Sequence, residues 1–165
     1  MDELILYLLF EKNKIEELKN LFNNFKNVKS LNDELMYLPY DFSGDIENII
    51  DDDYEWIAVD GFSEILEFGL SNSHAFSCYF SVEHIKFNHL ILSFTHDGYI
   101  ILGLTITDTD ENMEYLKENI LTLKEQLNAT LCGIFTDNIP VYSKLLFEIC
   151  ILPDAAIIAP SPFPS

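Results

Sequence analysis

Apolar residues recur along this chain with two different periods, and the switch between them organises the sequence. Ile15, Leu18, Leu21, Phe22 and Phe25 stand three or four residues apart, with Glu16, Glu17, Lys19 and Lys26 on the complementary positions. That spacing predicts an amphipathic helix. The preceding run, Leu4 to Phe10, is apolar at every position and reads as a buried segment continuous with this helix or broken near Asn13, so the N-terminal third is expected to be helical. Ser30 with Asp33 resembles a helix start, and Pro39 ends whatever forms there.

Residues 41–72 show no clear period. Asp45 is placed to cap a short turn carrying Ile46, Ile49 and Ile50. Beyond it, Tyr54, Trp56 and Ala58 alternate with Glu55, Ile57 and Val59 as in a strand.

From Phe76 the period becomes two. Phe76, Cys78, Phe80 and Val82 alternate with Ser77, Tyr79, Ser81 and Glu83, which predicts a half-buried strand. A second strand, His89 to His96, and a third, Tyr99 to Thr107, flank Asp97-Gly98, a dipeptide suited to a two-residue hairpin turn. Asp108 and Thr109 are good helix starters, and Met113, Leu116, Ile120, Leu123 and Leu127 set a stripe that packs on the sheet. Ala129 to Phe135 predicts a short strand, Pro140 a helix start before Tyr142, Leu145, Leu146 and Ile149, and Ala155 to Ala159 a last strand. The resulting expectation is an α+β fold: a helical N-terminal region and a largely antiparallel sheet with helices packed on one face. Residues 1–159 are expected to form a single domain and Pro160 to Ser165, with three prolines, a flexible tail.

Composition changes this picture in one respect. Among 165 residues, 48% hydrophobic, 28 acids face 9 basic residues, all lysine, for a formal charge of −19. Residues 1–29 hold five acids and five lysines, residues 30–85 thirteen acids and no basic residue, and residues 86–165 ten acids and four lysines. A negative field so concentrated opposes binding to DNA, RNA or anionic lipid and favours a basic partner surface. No apolar run approaches a membrane span, and the N-terminus lacks a signal-peptide layout, so a cytoplasmic location is expected. Cys78, Cys132 and Cys150 lack CxxC spacing and lie in apolar runs, where a thiol behaves as a small hydrophobe.

Motifs for metal or catalysis were weighed against plainer readings. His74, His84, His89 and His96 cluster near the hairpin, but His84 and His89 are five apart, which suits neither a helical zinc pair nor a finger. Asp108, Asp110 and Asn112 open like a calcium loop, yet Met113 replaces its glycine and Asn119 its closing glutamate, and helix capping accounts for them. The strand, strand, helix, strand order over 89–135 superficially resembles acyl-CoA-dependent acetyltransferases, whose pyrophosphate site needs free amides where this chain has Thr107-Asp108-Thr109-Asp110-Glu111. No P-loop, GxGxxG or GxSxG occurs. No catalytic residue, metal or cofactor is therefore expected, and the chain reads as a non-enzyme.

The acid-rich 41–67 segment remains. Within it Asp51, Asp52, Asp53, Tyr54, Glu55 and Trp56 join a dense negative cluster to two residue types that dominate interface energetics. With the HLILSFTHDGYIILGLTIT hairpin and the DENMEYLKENILTLKEQLN helix, this segment resembles, at the level of class, the immunity proteins of bacterial polymorphic toxin systems, including contact-dependent growth inhibition. The resemblance implies a cognate protein toxin with a basic surface as partner, many such toxins being nucleases, with no direct nucleic-acid or membrane contact. The six residues 51–56 are the expected partner-binding set. Two other functions fit the sequence: a phage-type acidic DNA mimic, or a small-molecule enzyme of unrecognised family.

Overall fold

The computed structural model describes residues 2–45, 48–136 and 144, together with the backbone of 157–158. In chain order the elements are β1 (Glu3–Glu11), α1 (Ile15–Phe22), β2 (Lys26–Ser30), β3 (Glu34–Leu38), β4 (Glu55–Ala58), α2 (Phe62–Ser71), β5 (Ala75–Glu83), β6 (His89–Phe94), β7 (Tyr99–Thr107), α3 (Asp110–Leu127), β8 (Leu131–Phe135) and β9 (Ile157–Ile158). The strands form one sheet in the order β4-β3-β5-β6-β7-β1-β8-β9, with β2 joining β5 at the end of β5 that β3 leaves free. Every described pairing is antiparallel.

The α+β class and the antiparallel sheet are as the sequence predicts, and α1, α2 and α3 pack on the main core; the helical N-terminal region is not borne out. Leu4 to Phe10 belongs to β1, which pairs along its full length with β7 and over Ile5 to Leu9 with β8. An unbroken apolar run does not distinguish a buried helix from a strand covered on both faces, and here the second solution holds. Leu4, Leu6, Leu8 and Phe10 point into the main core, whereas Ile5, Tyr7 and Leu9 join Ile91, Ile101 and Phe135 on the opposite face. All seven are buried. The amphipathic helix itself is present as α1, which sets Leu18, Leu21 and Phe22 against the main core.

The other two helices cover the same face. In α2, Ile65 and Leu66 are buried; in α3, Leu116, Ile120 and Leu127 are, with Met113 and Leu123 packed alongside. The α3 stripe therefore lies where its spacing predicts. Thr109 caps that helix, its Oγ1 accepting the Asn112 amide at 3.1 Å, and Asn128 closes it in the left-handed region at φ 53°.

Three local expectations need correction. The residues around Ser30 and Asp33 do not start a helix; they link β2 to β3, where Leu35 and Leu38 are buried and the intervening Met36 is exposed. The turn after β6 contains three residues, His96, Asp97 and Gly98, rather than two. The Thr95 amide donates to the Tyr99 carbonyl at 3.0 Å, and Gly98 takes φ 92°, the geometry of a three-residue hairpin loop with a left-handed last position. Helix α2 was not anticipated, because its stripe is short and Gly61 rather than a capping side chain precedes it. β4 is a strand as predicted, although all four of its residues are exposed, β5 matches its predicted alternation, β9 falls within the predicted last strand, and the Pro140 helix start, Cys150 and the 160–165 tail lie outside the described residues.

One position in α2 yields a test. Gly69 is buried with its backbone against the ring of Phe94, and a Cβ there would overlap that ring. Phe94 has no room to yield, being fully buried and stacked on Phe76 at 4.9 Å. Glycine to alanine in a helix ordinarily stabilises by about 1 kcal/mol. Gly69→Ala is expected to destabilise by about 1–3 kcal/mol instead, as overpacking does, read as a lower urea midpoint with an unchanged slope.

Candidate functional site

Strand β4 forms one edge of the sheet, and all four of its residues are exposed. It is held by β3 alone, in the register Glu34↔Ala58, Leu35↔Ile57, Met36↔Trp56 and Tyr37↔Glu55. Alternation along these strands separates two surfaces. On the helix-covered side Leu35 is fully buried and Tyr37 packs on Phe68 and His74 with ring centroids 5.1 and 4.7 Å away. The Tyr37 hydroxyl donates to Glu55 Oε2 at 2.9 Å, and partial burial together with this carboxylate holds the phenol above its ordinary pKa. On the other side Trp56 lies directly across from Met36.

Trp56 is 60% exposed and Met36 39%. On the same side of the sheet stand Leu31, 57% exposed, and Tyr79, 41% exposed, joined by a backbone bond from the Leu31 amide to the Tyr79 carbonyl at 2.8 Å. Four large, exposed apolar side chains therefore stand on the side of the sheet opposite α2, in or next to β3, β4 and β5.

Carboxylates border the patch. Asp51, Asp52 and Asp53 form a single 3-10 turn immediately before β4. Asp53 is half-buried and accepts the Ile50 amide on Oδ2 at 2.9 Å, so its charge is spent partly on holding the turn. Asp51 and Asp52 point into solvent, as does Glu55. Among the described residues no lysine or histidine forms an ion pair with Asp51, Asp52, Asp53 or Glu55; the ion pairs present lie elsewhere, as between Lys86 and Glu111. Asp60, Glu64 and Glu67 add further exposed acids just beyond β4 and along α2.

The structure thus brings five of the six sequence-selected residues to one edge in different roles, with Tyr54 half-buried between turn and strand. It adds Met36, Leu31 and Tyr79. The signal for Met36 was present in Glu34-Leu35-Met36-Tyr37-Leu38, whose alternation suits a strand, but the helix reading of that segment hid it.

The remaining candidates fall into separate environments. His74 Nδ1 accepts the Tyr40 amide at 3.1 Å, and His89 Nδ1 lies 3.8 Å from Glu3. His96 Nε2 is buried without a hydrogen-bond partner among the described residues. Among the described residues no three histidine, cysteine, aspartate or glutamate side chains converge on a common point. Asp108 and Asp110 flank the Thr109 cap, and Asn112 Nδ2 donates to the Thr107 carbonyl at 2.8 Å. Cys78 and Cys132 are buried, and burial raises the Cys78 thiol far above its ordinary value, which disfavours the reactive thiolate.

An open cleft of about 800 Å³ lies at the opposite end of β5, lined by residues including Lys26, Glu83, His84, Phe87 and His89. His84 is structural in it. Its Nδ1 accepts two backbone amides, those of Lys86 at 3.0 Å and Phe87 at 3.2 Å, and its ring lies 5.0 Å from those of Phe25 and Phe87. Comparison with protein-family models, with curated proteins and with solved structures finds no match for this chain.

The His84 geometry fixes a pH response. Burial lowers its pKa below the ordinary 6.5, so the folded state binds the proton less readily than the unfolded state. Its contribution to stability is complete above 6.5 and is lost as pH falls through that value toward the lower folded pKa. Protonation would also turn an acceptor of two amides into a donor facing them. The difference in unfolding free energy between the parent and His84→Asn, followed by urea titration from pH 7.5 down to pH 5, is expected to shrink on acidification; a constant difference would remove His84 from the response.

Proposed function

We propose that this chain is an immunity protein that acts in the cytoplasm by binding and neutralising a cognate toxin with a basic surface, through the edge formed by residues 51–56. The observation that carries this reading is Trp56: the sole tryptophan stands 60% exposed on an edge strand, beside an exposed Met36 and among carboxylates to which no cation is paired among the described residues. Leaving that much aromatic surface in water is unfavourable unless a partner removes it. Charge supplies the direction. Residues 30–85 carry no basic side chain, so the field around the edge has one sign and would steer a basic surface toward it.

The chemistry of such a complex divides between the two residue types. Trp56 fills the centre of the contact, where a few desolvated aromatics dominate binding energy. Asp51, Asp52 and Glu55 meet lysines or arginines and set the encounter rate. A toxin that cleaves nucleic acid presents a basic cleft for its substrate, and an acidic edge placed over it would exclude that substrate. A DNA mimic fits the edge less well, because Trp56, Met36, Leu31 and Tyr79 interrupt the charge with apolar surface that a duplex backbone does not offer. No described helix is long and apolar enough to cross a membrane.

The test is affinity capture from the native host at about 0.01 M and about 1 M salt, between which the screening length falls from about 30 Å to about 3 Å. A basic protein held at low salt, weakened at high salt, and inhibited in its own activity by this chain is the expected result. Trp56→Ala should then weaken the complex by about 2–4 kcal/mol, roughly 30- to 1000-fold. Replacing Asp51, Asp52 and Asp53 by Asn should slow association about tenfold with less effect on dissociation. Trp56, Asp51 and Asp52 are exposed, and Asn at position 53 keeps an oxygen to accept the Ile50 amide, so both variants should leave urea stability within about 0.5 kcal/mol of the parent. Unchanged affinity in both would defeat the assignment of this edge.

A further inference from the structure

The edge offers its backbone as well as its side chains. In an antiparallel pair, residues that exchange backbone hydrogen bonds alternate with residues whose amides and carbonyls point away. The Val59 amide donates to the Asp33 carbonyl at 3.0 Å, which fixes the phase of the β3–β4 ladder. Two residues on, Ile57 with Leu35 and then Glu55 with Tyr37 occupy the bonded positions in the same register. The amides and carbonyls of Trp56 and Ala58 therefore point outward from the sheet. Among the described residues no strand lies beyond β4 and no hydrogen bond uses these four groups.

From this geometry we infer that the partner is bound by strand addition: an extended segment of the partner protein, alternating apolar and basic residues, pairs with the free edge of β4 through Trp56 and Ala58. The inference rests on the reading of the chain as a binder of a basic protein and specifies how that binding is made. Side-chain alternation matches the two faces of the edge. Apolar residues of the added strand would fall beside Trp56, Ala58 and Met36, and basic residues on the side of Glu55.

A second copy of this chain is the other natural occupant of such an edge, and charge opposes it. Carboxylates flank β4 at both ends, Asp51, Asp52 and Asp53 before it and Asp60 after it, so a β4–β4 pair in either direction sets like charges together. The same flanks attract a strand bordered by lysine or arginine. A strand this short, four residues with two outward-facing, also limits self-assembly while leaving room for one added partner strand.

The experiment uses the full chain with two end-blocked probe peptides of equal charge, one alternating lysine with valine and one alternating lysine with proline. Proline has no amide hydrogen, so the second peptide keeps the charge and loses the ladder. Binding of the lysine–valine peptide should slow amide exchange at Trp56 and Ala58 at least about tenfold, equivalent to about 1.4 kcal/mol, while Ile57, already bonded to β3, changes little. Ala58→Pro removes one outward amide without touching the β3 ladder, and should weaken that peptide several-fold while leaving urea stability close to the parent. Equal binding of the two peptides, or binding without slowed exchange at Trp56 and Ala58, overturns strand addition and leaves recognition by charge and side chains standing. Failure of both peptides to bind at low salt also overturns it, whereas the toxin-binding reading itself falls only if affinity capture finds no basic partner sensitive to Trp56→Ala.

Discussion

Everything in this structure depends on β1 being covered on both faces and paired on both sides. Its seven central residues, Leu4 to Phe10, are buried without exception. At roughly 1.5–3 kcal/mol for each large apolar side chain removed from water, this one strand makes a larger contribution than α1, α2 or α3. It also joins residues far apart in sequence, since Glu3 meets Thr107 and Ile5 meets Phe135. The sheet is complete only when the first strand finds partners about 90 to 130 residues further along the chain, a topology that makes folding non-local and slow relative to a helical bundle.

From that centre the sheet thins toward β4. β7 and β6 remain buried on most positions, β5 alternates between core and surface, and β4 is exposed throughout. Stability and recognition are thereby placed at a distance from one another: β3, β5, β6 and β7 separate the acidic edge from β1. Residues 51–58 are free to carry repelling charges and an exposed tryptophan because none of them belongs to either core cluster. Proteins with few spare kcal/mol of net stability tolerate unfavourable surface features where their cost is local.

What the sequence revealed followed from how much each element relies on a single face. β5 and α3 each bury one face and expose the other, so alternation at Phe76 to Val82 and the stripe from Met113 to Leu127 located them correctly. β1 hides both faces, and its uniform apolarity carries no period; only its partners in β7 and β8 decide between strand and helix. The 30–39 segment failed for a different reason: Ser30 carries helix-start chemistry that the β2–β3 link uses for a bend, its Oγ bonded within its own turn to Asn32, and Pro39 follows a strand, β3, rather than a helix. The acidic half of the site was legible from charge alone. Of its apolar half Trp56 was legible too, but Met36, Leu31 and Tyr79 were not, since they reach one side of the sheet only through strand pairing.

The combination of free edge, exposed aromatic and unpaired acid is consistent only if the three features act together. Four outward backbone groups supply too few bonds for a stable complex alone, at about 1 kcal/mol net for each hydrogen bond. Charge without a shaped contact attracts any basic polymer and discriminates poorly. An exposed tryptophan without charge invites self-association of the edge. Placed on one four-residue strand, each removes the weakness of the others: the acids keep identical copies apart and draw basic partners in, the backbone demands an extended segment, and Trp56 with Met36 gives that segment a fixed position along the edge.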